Sequence, residues 1–267
     1  MYVCSTKPTK PKKKKDLDKL TSDFVAIVSH QLRAPLTASR WFLEMLMEGD
    51  VGKFTEKQLD ILREIYDINE RMTSLVNDLL DATKVDGSWK IKLTPRPAQI
   101  ADIFKNIVKL LTPLAKAKNV RIVNRLKDKK PPKLKIDQSK IEHAISNIVD
   151  NAVRYNKSGG RVEINFEKKK DKIIFSVHDT GIGIPEKDCP KIFQKFFRAS
   201  NVIKARSEGT GLGLFIAKSI IESSGGEIWF ESVEDDGTTF NFSLPINAGT
   251  SHKAQGTRLG KREQAIA

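Results

Sequence analysis

Two glycine-rich blocks lie in the C-terminal half of the chain: Asp-Thr-Gly-Ile-Gly-Ile-Pro from Asp179 to Pro185, and Gly-Thr-Gly-Leu-Gly-Leu from Gly209 to Leu214. Such loops let backbone amides close on phosphate oxygens. Gly181 and Gly183 allow positive φ and close approach of a ligand. Gly209, Thr210, Gly211, Leu212 and Gly213 can fold over phosphates and lead into a helix whose N-terminal amides point at anions. Upstream, Asn147 and Asn151 are four apart, so one helix face carries both amides. An amide oxygen is a hard neutral ligand suited to Mg2+. Arg154 and Tyr155 follow directly, a cation for phosphate and a ring for stacking on a base. Phe193 to Arg198 (Phe-Gln-Lys-Phe-Phe-Arg) joins the two glycine blocks. Far away, Ser-His-Gln-Leu-Arg-Ala-Pro-Leu from Ser29 to Leu36 places His30 on a helix shortly before Pro35. Pro35 cannot donate to the Gln31 carbonyl, so the helix is weakened beside a histidine expected to be accessible. Taken singly, each feature has a plain explanation: surface asparagines, an aspartate capping a turn, an exposed histidine. Their order along one chain is what carries meaning.

The elements needed to position these residues are legible in the periodicity. Residues 17–48 read as one long helix, and 49–52 as a break. Thr55 and Gln58 match a capping box that opens a second helix running to about Lys84. Leu62, Ile65, Asn69, Met72, Val76 and Leu79 alternate by three and four, the spacing of a coiled-coil seam, with Asn69 a register-setting polar residue. Two such helices have more apolar stripe than a hairpin can bury, which predicts a homodimer paired into a four-helix bundle. Residues 87–97 read as a linker. Beyond it, 98–117 and 211–223 read as helices, Asp137 as the N-cap of a third, and 120–126, 161–166, 173–177, 227–232 and 238–244 as strands. Antiparallel strands interleaved with helices predict an α/β sandwich and not a doubly wound parallel sheet.

Composition adds bounds. The chain has 267 residues, 39% hydrophobic and 30% charged, an ordinary globular balance with no apolar run long enough to cross a bilayer and no visible signal peptide. Cys4 and Cys189 fit a reducing compartment and no disulfide framework. The net charge of +14 is concentrated in a basic tail within residues 1–16 and a lysine turn at 168–172. Solvated charge is the first reading, contact with anionic lipid the second, and nucleic acid the last, because no recognition module accompanies it. Residues 247–267 read as a polar tail.

The histidine block, the Asn147–Asn151 block, the two glycine blocks and the Phe193–Arg198 segment together resemble the H, N, G1, G2 and F boxes of two-component sensor histidine kinases, over roughly residues 17–245. The resemblance implies a phosphotransfer and dimerisation domain at 17–86 and an ATP-binding catalytic domain of the Bergerat (GHKL) α/β-sandwich type at 98–246. It implies ATP and Mg2+ as ligands, His30 as phosphoacceptor, Asn151 as the Mg2+ ligand with Asn147 supporting it, and Arg198 at the nucleotide. Asp179 would accept from the exocyclic amine of adenine, favouring ATP over GTP. Residues 199–208 resemble the mobile ATP lid; Lys204 and Arg206 are either phosphate contacts or solvated lid charges, and Phe196 and Phe197 are anchors packed on the core rather than base-stacking residues. Related ATPases carry a glutamate at the position of Asn147, and an amide cannot act as that base, which points to an imidazole nucleophile. The resemblance further implies a response-regulator receiver domain as partner and a cytoplasmic location, and leaves room for an upstream sensor or membrane segment outside this chain. Two positions depart from the family pattern: Gln31 stands where Glu or Asp is usual, and Ala34 where Thr or Asn is usual. Gln31 can accept a hydrogen bond but cannot hold a proton. A catalytically weak nucleotide-binding scaffold is therefore the alternative reading.

Overall fold

Helix α1 (Lys12–Glu48) and helix α2 (Glu56–Lys84) form an antiparallel hairpin in the computed structural model. The described residues are 12–84, 91, 93–127, 131–204 and 209–246, without the side chains of 12–26, 30, 81–84, 127 and 204. α1 begins at Lys12, inside the segment expected to be a tail. Pro35 lies within α1. The capping box closes as expected: Thr55 N–H donates to Gln58 Oε1 at 2.9 Å, and Gln58 N–H to Thr55 Oγ1 at 3.4 Å. Leu36, Leu43, Val76 and Leu80 are buried in the hairpin, and so is Asn69. Arg33 Nη2 donates to Asn77 Oδ1 (3.2 Å) and Tyr66 Oη to Glu44 Oε1 (3.1 Å), tying the helices along their length.

The rest is a layered α/β unit: β1 (Arg96–Ala98), α3 (Ile100–Ala117), β2 (Arg121–Asn124), β3 (Leu134–Ile136), α4 (Gln138–Arg154), β4 (Arg161–Lys168), β5 (Lys172–Asp179), α5 (Ser200–Lys204), α6 (Gly213–Ser223), β6 (Glu227–Val233) and β7 (Gly237–Pro245). The main sheet runs β2-β4-β5-β7-β6, with α3, α4 and α6 packed together over it. Alternation along β5 turns Ile173, Phe175, Val177 and Asp179 to the buried side. Phe104, Phe175 and Phe242 meet there with ring centroids 5.1–6.4 Å apart. Asp137 caps α4, accepting from Lys140 N–H at 3.2 Å.

Four features differ from the expectations. β2 pairs parallel with β4, since the chain between them contains α4, the crossover a parallel pair requires. β1 pairs with β3 in a separate two-stranded sheet, so the end of the expected linker is a strand. These strands are three residues long, too short to show a period of two. A short helix, α5, stands within the segment expected to be a mobile lid. α6 starts at Gly213, not Gly211, because Gly211 has φ +70° and is not helical. Among the described residues no helix is long and apolar enough to cross a membrane. Cys189 is a free thiol, with Sγ donating to the Pro185 carbonyl, while Cys4 lies outside the described residues.

Candidate functional site

Asp179 is the last inward position of β5, so the alternation that builds the core also delivers a carboxylate to the edge of the helix layer. It is 6% exposed. Its Oδ1 accepts from Gly181 N–H (2.9 Å) and Thr238 N–H (3.3 Å). Burial pushes the carboxyl up from 3.8 to about 6, against the pull of those two amide donors. A buried carboxyl with acceptor capacity to spare suits a neutral N–H donor of a ligand.

Asp179 opens onto a cavity of about 500 Å3. Asn147, Asn151, Arg154 and Tyr155 line it from α4, Gly183 from the first glycine block, Arg198 from the connecting segment, and Gly209, Thr210, Gly211 and Gly213 from the second block. Residues far apart in sequence are thus brought together. Asn147 abuts the start of α6: a Cβ on Gly213 would lie 3.4 Å from its Cγ. Asn147 Nδ2 is buried and, among the described residues, has no hydrogen-bond partner, which leaves a donor for a ligand. Arg154 is held by Asp150, Nε to Oδ2 at 2.5 Å.

Two glycines are dictated by close approach. A Cβ at Gly183 would fall 2.0 Å from the Val233 carbonyl oxygen, and one at Gly211 2.6 Å from that of Phe197. Both have positive φ, +62° and +70°. The second glycine block therefore rests directly on the Phe196–Phe197 peptide. Phe197 packs partly on the core, but Phe196 does not: it is 60% exposed, at φ +60°. The left-handed backbone that accommodates Gly211 turns its ring outward.

Gly181 and Leu212 do not line the cavity. Gly181 serves through its amide to Asp179, and Leu212 is buried in the core. Gln31 is exposed on α1, and His30 lies on the same helix, though its side chain is outside the description. Lys204 is on α5 without a described side chain, and Arg206 lies outside the described residues. Among the described residues no cluster of three His, Cys, Asp or Glu could hold a metal by itself. The amide oxygens of Asn147 and Asn151 suit an ion that takes one or two protein ligands and keeps water or phosphate for the rest.

Sequence reasoning missed one wall altogether. Arg71, Ser74, Leu75 and Asp78 of α2 also line the cavity. Their spacing of three, one and three defines a single helix face beside the apolar seam, a signal present in the sequence. His143, given no role, lies with Nε2 2.9 Å from Asp78 Oδ1 and joins α4 to α2.

The site is thus a glycine-walled cavity over a mixed sheet, bordered by a hairpin that carries a histidine. Residues 20–88 match the family described as His Kinase A (phospho-acceptor) domain, and residues 136–248 that of histidine kinase-, DNA gyrase B-, and HSP90-like ATPases. The chain belongs to the sensor histidine kinases. It is 38% identical over 233 residues to the sensor histidine kinase WalK of Bacillus subtilis, covering 86% of this chain and 37% of that one. It is 31% identical over 224 residues to the circadian input-output histidine kinase CikA of Synechococcus elongatus, covering 84% and 30%. The chain thus spans well under half the length of these relatives. Full-length ShkA, solved in complex with AMPPNP, superposes with a TM-score of 0.65 at 25% identity, over 86% of this chain and 47% of that one.

Proposed function

We propose that this chain transfers the terminal phosphoryl group of ATP to His30, and from there to an aspartate of a response-regulator receiver domain. The observation that carries the reading is the convergence of buried Asp179, the unpartnered Asn147 amide and the Gly209–Gly213 loop on one cavity beside a phosphoacceptor hairpin. Family membership and the AMPPNP complex of ShkA support it. Asp179 accepts from the adenine amine, and Tyr155 stacks on the base. Amides of the second glycine block and the N-terminus of α6 receive the phosphates, with Arg154 and Arg198 beside them. Asn151, supported by Asn147, would hold Mg2+, which when bound neutralises charge on the phosphate oxygens. The His30 imidazole uses its own lone pair: a bond forms from nitrogen to the terminal phosphorus as the bond to the ADP oxygen breaks. Its proton leaves to solvent, while Gln31 accepts a hydrogen bond only. The receiver carboxylate then takes the phosphoryl group, and the phosphorus–nitrogen bond breaks. Residues 17–86 serve dimerisation and phosphotransfer, and residues 98–246 bind nucleotide.

The test is radiolabel transfer from γ-labelled ATP. Wild type should acquire label that survives alkali and is lost in acid, as phosphohistidine is, and His30→Ala should acquire none. Equal labelling of His30→Ala would refute the assignment. A wild type that binds nucleotide but never labels would favour the scaffold reading.

A further inference from the structure

The α2 wall of the cavity belongs to the hairpin, not to the catalytic unit, and it carries a cation. Asp78 Oδ1 lies 2.9 Å from Nε2 of His143, which stands one turn before Asn147 on α4. α2 also packs on α6, whose first residue abuts Asn147. Both contacts put α2 beside the part of the cavity lined by Asn147 and the start of α6. Asp78 and Asp150 line the cavity as well, and neither carboxylate attracts an anion. Arg154 is already engaged by Asp150. Arg71 is different: it lines the cavity from an exposed position on α2, and among the described residues it makes no ion pair or side-chain hydrogen bond. An unpaired guanidinium beside a glycine-walled phosphate cradle matches phosphate geometry better than any other cation type.

We infer that Arg71 is a nucleotide-binding residue supplied by the helical hairpin, contacting the terminal phosphate of a nucleoside triphosphate. This rests on the reading of the cavity as the ATP site and deepens it. The bound triphosphate then bridges the hairpin and the catalytic unit, whereas the diphosphate, one phosphate shorter, stays within the catalytic unit. Arg71 is therefore a specificity residue: it distinguishes ATP from ADP.

The experiment is calorimetric titration of the full chain, with Mg2+, using ADP and a non-hydrolysable ATP analogue. Wild type, Arg71→Ala, Arg71→Gln, Arg71→Lys and Gly211→Ala are compared. A charge-assisted hydrogen bond is worth enough that Arg71→Ala and Arg71→Gln should weaken the analogue roughly tenfold. ADP should change less than about threefold, and Arg71→Lys should fall between. The exposed position should leave the thermal midpoint unchanged. An analogue-to-ADP affinity ratio equal to that of wild type in both neutral variants overturns the inference, as does an equal loss for both nucleotides. If wild type binds and Gly211→Ala weakens both nucleotides, the ATP site stands whatever Arg71 does. If wild type binds neither nucleotide, the site reading falls and Arg71 with it.

Discussion

A single buried carboxyl, Asp179, lines the cavity, and it sits there against the stability of the fold. Its ordinary value of 3.8 is raised to about 6, so between these limits the folded chain holds a proton that the unfolded chain has released. This group therefore lowers stability progressively as pH rises through that window. The cost is absent below 3.8 and complete above about 6. A shift of this size corresponds to roughly 2–3 kcal/mol. Asp179→Asn, which cannot ionise, should gain stability relative to wild type between pH 4 and pH 7 by that order. Paired urea melts at the two pH values measure it, and a pH-independent difference would mean the carboxyl is not perturbed. The same variant should bind ADP more weakly, since Asn offers the adenine amine a poorer acceptor. Asp179 was legible in the sequence because it begins a glycine block. Its donor Thr238 was not, because nothing local links a residue on β7 to the end of β5; only the register that pairs them does so. Arg71 and Asp78 were overlooked for a related reason: they stand next to an apolar row that explained their helix without them.

Elements follow the same rule, with local signals legible and non-local ones not. The hairpin, α4 with its Asp137 cap, and the β4–β5 and β6–β7 pairs were all readable from periodicity and turn chemistry. The parallel β2–β4 pairing and the β1–β3 sheet depend on partners distant in sequence and on strands too short to alternate. Phe196 needed knowledge of the backbone that Gly211 presses on. The capping box is the most local of these signals and gives a clean test. Thr55 is exposed and satisfies the first turn of α2 from outside the helix. Replacing such a cap with alanine costs about 0.5–2 kcal/mol. In Thr55→Ala, hydrogen exchange at the amides of residues 57–59 should accelerate, with protection in α4 unchanged. Unchanged exchange at the start of α2 would show that packing against α1, not the cap, holds that end.

On the scale of the whole molecule, the hairpin leaves a surface that one copy does not cover. The expected seam divides in the structure: Asn69 and Val76 are buried inside the hairpin, whereas Ile65 and Met72 are 44% and 48% exposed. The exposed residues belong to another row, Ile61, Ile65, Ile68 and Met72, spaced by four, three and four, which is a heptad seam of its own that stops short of Leu75 at the cavity. On α1, Trp41 and Phe42 are also exposed, with ring centroids 5.3 Å apart. A continuous apolar row of this kind on a water-facing helix marks an interaction surface. A second copy of the same hairpin, with the same row, would complete a four-helix bundle by isologous pairing. The wild-type chain should therefore sediment as a dimer at micromolar concentration. A charge in the middle of the row would be buried without a partner in such a bundle, so Ile65→Glu should shift the chain toward monomer. Because Ile65 does not line the nucleotide cavity, the monomer should keep its affinity for ADP. A wild-type chain that remains monomeric at tens of micromolar, or an Ile65→Glu chain that dimerises as strongly as wild type, would mean that this row is covered by something other than a second copy.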